Sequence, residues 1–189
     1  MTGNDIIELA KSIYSVETFL SQASLVKFVN QAREKVNKLM QLTYGEYSFT
    51  TVATYWRYLL DKNFYEIHRA TVDIGNSLIV PLEKKKEGEF PLRDKVLSMF
   101  PVQYAFTPMN ELTLYPVPDK GYPIYLYGYV PLDFSYTTDN LGTNDVIPDI
   151  YLKPIAYDMA SDLARFDQKY ELATLFEQEF YTQLKIAKI

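Results

Sequence analysis

All ten prolines of this chain fall between Pro81 and Pro154, leaving the first eighty residues and the last thirty-five with none. Proline removes a backbone donor and breaks helix interiors, so it concentrates at turns and strand ends. The distribution predicts a helical or strand-forming N-terminal part, a turn-rich middle and a helical C-terminal part. Helical periodicity at both ends with strand-like segments between them predicts an α+β fold. The N- and C-terminal helices are expected to pack together, with a small antiparallel β-sheet or hairpin region inserted in the middle. The reading treats 1–189 as a single domain: a helical part over 1–60, a β-rich middle over 61–147, and C-terminal helices with a tail over 148–189.

At the N-terminal end, residues 4–14 predict a helix that Asn4 can cap, with Ile6, Leu9 and Ile13 on one side. Ser24 is the expected cap of a second helix, where Leu25, Phe28, Val29, Ala32, Val36, Leu39 and Met40 recur at helical spacing. Residues 43–58 are ambiguous: Thr50, Thr51, Val52 and Thr54 favour strand, while the run from Tyr55 to Leu60 also suits a helix. In the middle, Phe64–Ile74 and Leu78–Leu82 flank a Gly75-Asn76 turn signal and predict a hairpin. A short helix is expected over Leu92–Phe100, and strands over Val102–Phe106, Glu111–Val117 and Pro123–Val130. The last has the clearest alternation, with Ile124, Leu126 and Val130 on one face and Tyr125, Tyr127 and Tyr129 on the other. Pro116, Pro118 and Pro123 read as edge prolines that discourage uncontrolled strand pairing.

In the C-terminal part, Ile155, Ala156, Met159, Ala160, Leu163 and Phe166 make one apolar stripe, and Asp167-Gln168 marks a break. Leu172, Leu175, Phe176, Phe180 and Leu184 make a second stripe. Residues Lys185 to Ile189 are expected to order only against a partner.

Composition excludes several chemistries. The chain has no cysteine, which removes disulfides, thiolate metal sites and a Cys nucleophile. Its one histidine, His68, removes a multi-histidine metal cage and sits among strand residues, where a structural role is expected. No phosphate-cradling GxxxxGK[ST] loop, no GxGxxG and no GxSxG occurs. No run of about 18 apolar residues predicts a membrane span. The first twenty residues carry Asp5, Glu8 and Glu17 and lack a signal-peptide layout. Nineteen Lys and Arg against twenty-four Asp and Glu give a net charge of −5, unlike the positive face that grips nucleic-acid phosphates. The one dense basic run, Lys84-Lys85-Lys86, is diluted by Glu83, Glu87 and Glu89. Asp158 and Asp162, one helical turn apart, read as a solvated face, and Asp145 and Asp149 could meet a cation near a loop. Seventeen Tyr and eleven Phe are the unusual feature. Tyrosine supplies contact area at low rotamer cost, so a subunit interface competes with simple strand filling as its explanation.

The run Leu112-Thr113-Leu114-Tyr115-Pro116-Val117-Pro118, followed by the aromatic strand from Pro123 to Leu132, resembles tailed-phage head–tail adaptor proteins of the portal-attached ring type. Ile147-Pro148-Asp149-Ile150-Tyr151 resembles the next element of that family, an "I-P-x-x-Y" helix start. An Ala-rich helix over Ile155–Phe166 and a second helix from Leu175 to Ala187 follow in the family's order, and Trp56-Arg57-Tyr58 is similar to its "W-R-[FY]". The resemblance covers about residues 54–187.

It implies a structural virion protein, not an enzyme, with no cofactor or metal. The implied assembly is a homo-oligomeric ring of about 12 copies beneath the portal protein, bearing downstream tail or ring proteins and continuing the DNA channel. Packaged DNA would pass without specific binding, and no membrane is involved. The protein would be made in the host bacterial cytoplasm and end at the head–tail junction. Expected roles are portal docking for Tyr181, Leu184, Ile186 and Ile189, and inter-subunit contact for Tyr125, Tyr127, Tyr129, Trp56 and Arg57. Asp158 and Asp162 would line the channel, and Lys84, Lys85 and Lys86 would lie on a tail-facing loop. The competing readings are another phage ring or tail protein, a carboxylate-based glycan-cleaving tail component, and a nucleic-acid module built on Trp56, Arg57 and Lys84 to Lys86.

Overall fold

The computed structural model describes residues 1–90 and 99–188. Most of the helix expected over Leu92–Phe100 lies outside the described residues. The fold is α+β, with four α-helices and two small sheets among the described residues. The chain divides into two compact units: residues 1–42 with 132–189, and residues 43–131.

The first unit is helical and is built from both chain ends. Helix α1 spans Gly3–Ile13 and α2 spans Gln22–Met40. Both begin earlier than the sequence suggested. Thr2 caps α1 in a reciprocal box: its hydroxyl accepts from the Asp5 N–H and the Asp5 carboxylate accepts from the Thr2 N–H. Ser21, not Ser24, caps α2, and the Ser24 N–H is the donor that Ser21 satisfies. The apolar periodicity starts after each true cap, which shifted the expected starts inward. Helix α3 (Leu152–Phe166) follows a 3-10 turn and packs against α1, α2 and α4 (Tyr170–Ala187). Ile155, Met159 and Leu163 are fully buried on α3 together with Ala156, Ala160 and Ala164. Burying each of the larger side chains contributes about 1.5–3 kcal/mol. Helix α3 is tied to α4 where the Ser161 hydroxyl donates to the Ala173 carbonyl at 2.9 Å.

The break at Asp167-Gln168 is present, with Gln168 at φ 61°. Helix α4 runs through Ala187, so residues 185–187 are helical without a partner. Leu184 is buried and Ala187 packs on the same core, which continues the helix to its end. The expected apolar stripes are narrower than the sequence suggested: Phe166, Leu172 and Leu175 are exposed.

The second unit is a pair of four-stranded sheets. The first has the order β1 (Tyr44–Thr50), β8 (Pro123–Tyr129), β3 (Glu66–Asp73), β4 (Ile79–Pro81). The second has the order β2 (Arg57–Leu59), β7 (Glu111–Tyr115), β6 (Gln103–Phe106), β5 (Glu83–Lys84). Among the described residues all strand pairings are antiparallel except the two-residue β5–β6 contact. The hairpin across Gly75-Asn76 forms as β3–β4, and the ambiguous segment resolves into β1 and β2. Ile67, Ala70, Val72, Leu112, Leu114, Ile124 and Leu126 form the core of this unit. Strand β8 lies at the centre of its sheet, so Pro123 is the first residue of a central strand and not an edge guard. It is tolerated there because the β3 ladder stops at Ile124, so no strand residue needs the N–H that Pro123 lacks.

Candidate functional site

The helical unit disposes of its charges in long-range pairs. Arg33 sits on the buried face of α2, four residues after Val29, with its side chain 1% exposed; that of Asp145 is 0% exposed. Its Nη2 donates to the Asp145 carboxylate at 2.7 Å and its Nε donates to the other oxygen. The remaining donors reach the Phe134 carbonyl and the Asn30 amide oxygen, and the guanidinium lies 4.4 Å from the Tyr136 ring centroid. Burial, with the nearby Asp145 charge, pushes the Tyr136 hydroxyl up to about 12. The loop from Phe134 to Asp145 is thereby fastened to α2. Sequence reasoning offered Asp145 a cation near a loop; the cation it meets is Arg33. The available signal was a charged residue inside an apolar helical repeat.

Asp158 does not sit on a solvated face. It is 5% exposed, and Lys35 of α2 reaches across to pair with it. Lys35 also stands over the Phe180 ring at 4.5 Å. Arg165 bridges Asp162 at 3.3 Å and Glu177 at 2.6 Å, tying α3 to α4. Burial raises the carboxyl groups of both Asp158 and Asp162, opposed by Lys35 and Arg165 respectively. Helix periodicity placed the two acids one turn apart correctly, but the faces of α2 and α4 that meet them are set only by packing.

Asp167, expected only as a break, is a clasp. Its carboxylate accepts from the Tyr14 hydroxyl at 3.0 Å and from the N–H groups of Glu17 and Thr18 at 2.8 and 3.3 Å. Hydrogen bonding from Thr18 above all holds its carboxyl below the usual range.

In the β unit, Tyr125, Tyr127 and Tyr129 are half-buried on the outer face of the first sheet. Across the register they stand beside Ser48, Glu46 and Tyr44 of β1 and beside Thr71, Arg69 and Glu66 of β3. Arg69 lies over the Tyr127 ring at 5.8 Å, and His68, at a bulge in β3, meets the Tyr129 ring edge-on at 4.4 Å. The structural reading of His68 therefore has a named contact. Arg57 stacks on Trp56 at 4.5 Å and pairs with Glu111 at 3.2 Å. Lys84 pairs with Glu66 at 3.1 Å and Lys85 with Glu83 at 2.6 Å, while Lys86 is exposed. The structure therefore places Arg57, Lys84 and Lys85, three of the basic residues weighed for nucleic-acid contact, beside acids of their own unit.

Of the residues assigned to docking, Tyr181 and Ile186 are exposed, Leu184 is 8% exposed and packed in the helical core, and Ile189 lies outside the described residues. Among the described residues no group of three or more His, Asp or Glu side chains is placed to hold a metal ion, and no helix is long and apolar enough to cross a membrane.

These features define an α+β protein that presents aromatic surface and pairs buried charges such as Arg33 with Asp145 and Asp158 with Lys35. A family model described as SU10 adaptor protein matches residues 1–188. The chain belongs to the SU10 adaptor protein family, and so is a structural phage head–tail adaptor, as its motif order indicated. Comparison with curated proteins finds no match.

Proposed function

We propose that the chain assembles into a homomeric ring of about 12 copies beneath the portal protein, joining capsid to tail and continuing the DNA channel. Family membership across residues 1–188 carries this reading. The tyrosine face of β8 and the Trp56-Arg57 pair are the proposed inter-subunit surfaces. The exposed end of α4, with Tyr181 and Ile186, docks on the portal together with Ile189, which lies outside the described residues. Leu184 supports that docking by holding the helix in place. The segment Lys84 to Lys86 faces the next tail or ring protein.

The protein acts structurally, without catalysis or cofactor, in the virion at the head–tail junction after synthesis in the host cytoplasm. Copies carrying −5 each would give a dozen-membered ring a charge of roughly −60, a field that keeps DNA sliding through the channel instead of adhering. Asp162 is the better of the two proposed lining acids, because Asp158 is covered and paired. The test is the mass of the purified chain alone and mixed with portal protein, followed by imaging of the complex. A ring of portal-matched symmetry is expected. A chain that stays monomeric with portal present would overturn the proposal.

A further inference from the structure

The first sheet of the β unit ends in an open strand. Hydrogen bonds from the Val130 N–H to the Thr43 carbonyl at 3.0 Å and from the Thr51 N–H to the Tyr122 carbonyl at 2.9 Å fix the phase of the β1–β8 ladder. Odd-numbered residues of β1 bond to β8. In an antiparallel pair the alternate residues point their backbone groups the other way. The N–H and C=O groups of Tyr44, Glu46, Ser48 and Thr50 therefore line the outer edge. Among the described residues no backbone group bonds to them, and their one side-chain contact is the flexible Lys62 amino group, 3.4 Å from the Glu46 carbonyl.

The opposite edge of the sheet is different. Strand β4 has three residues and ends in Pro81, whose missing N–H blunts it. Natural edges are shortened, bulged or proline-capped to prevent pairing. The seven-residue β1 carries neither proline nor bulge. Beside it, Glu46, Tyr47, Ser48, Tyr125 and Tyr127 line a depression of about 250 Å³. The Glu46 carboxylate is exposed there, with no ion pair among the described residues.

We propose that the free edge of β1 is a docking site for an extended strand of another protein. That strand is proline-poor and carries a Lys or Arg opposite Glu46. Four outward donors and four outward acceptors, spaced over seven residues, match the hydrogen-bonding pattern of a partner backbone in extended form. The depression takes a side chain of that strand, and Glu46 selects its charge. The inference is drawn for the isolated chain; its depression shares Tyr125 and Tyr127 with the proposed inter-subunit face, so a bound strand and a neighbouring copy would compete there.

The test uses the full chain and a synthetic heptapeptide, Thr-Val-Lys-Val-Thr-Val-Thr, with residue-resolved hydrogen exchange. Without peptide, the amides of Gly45, Tyr47 and Phe49 should be protected and those of Glu46, Ser48 and Thr50 should exchange quickly. Saturating peptide should slow the latter by tenfold or more. Ser48→Pro removes an outward N–H without touching the β1–β8 ladder and should abolish that slowing, with Gly45 and Phe49 still protected as proof that β1 is intact. Should that variant not fold, Glu46→Lys supplies the same test: it should switch preference from the Lys peptide to one with Glu in its place. No slowing at millimolar peptide, or equal slowing with both peptides in both proteins, overturns the proposal. Protection of the even-numbered amides that rises with chain concentration alone would mean that a second copy closes the edge, and that also overturns it.

Discussion

The two units solve the problem of buried polarity in opposite ways. The helical unit, assembled from both chain ends, satisfies its charges through side chains more than a hundred residues apart, such as Arg33 with Asp145 and Lys35 with Asp158. The β unit, one continuous insertion, satisfies its backbone by ladders and leaves the seven-residue edge of β1 unfilled among the described residues. A unit closed by long-range ion pairs has little room to adapt, because breaking one partner leaves a buried charge. A unit closed by ladders keeps surface that a neighbour can extend. For an adaptor that must hold one shape while meeting several proteins, the division separates rigidity from contact.

Removing Arg33 should break the comparison most severely. Arg33→Ala leaves Asp145 buried and unpaired, at a cost of about 3–5 kcal/mol. Trp56 is the single tryptophan and lies in the β unit, so its fluorescence reports that unit, while helical circular dichroism reports the other. In urea the helical signal of the variant should melt well before the Trp56 signal. Coincident shifts of both would mean that the two units unfold as one block. The double variant Arg33→Met with Asp145→Leu should recover most of the loss.

Gly128→Ala probes the β unit in the same way. A Cβ at that position would lie 2.1 Å from the Glu66 carbonyl oxygen and 2.9 Å from the Ile67 Cα, both backbone atoms that cannot swing aside. The cost should be about 1–3 kcal/mol, with the Trp56 transition moving first. The alternation of β8 was legible in the sequence, as was the hairpin across Gly75-Asn76, because both follow from a period of two and local turn chemistry. The position of β8 at the sheet centre was not. It depends on β1 and β3 closing from either side, and Gly128 showed only as a gap in an apolar face.

Asp167→Asn should act on the helical unit in a pH-dependent manner. The folded-state pKa of Asp167 is lowered. Its stabilising contribution is therefore present above the unfolded value of about 3.9 and is lost as pH falls through the folded value. The variant should flatten that acid limb of the stability profile while leaving the slope above pH 5 unchanged. An unchanged acid limb would remove the clasp from the argument. The sequence marked Asp167 as a helix break, and the break is there. Its partners Tyr14, Glu17 and Thr18 lie about 150 residues earlier, beyond anything that local periodicity encodes.

The smallest effect on stability should come from Ile186 near the end of α4, where it and Leu184 separate docking from packing. Leu184 is 8% exposed and belongs to the helical core, whereas Ile186 is 58% exposed. Deleting the whole segment 182–189 would remove Leu184 and confuse the two roles. Leu184→Ala should cost about 2–3 kcal/mol through the cavity it leaves. Ile186→Asp should change stability by no more than about 0.5 kcal/mol, since nothing in the described core depends on it. If the exposed end docks on the portal, Ile186→Asp should nevertheless fail to co-sediment with portal-containing heads, because a carboxylate would have to be buried in an apolar contact. Normal attachment of a folded Ile186→Asp protein would move the anchor away from Ile186 and sink its assignment to portal docking.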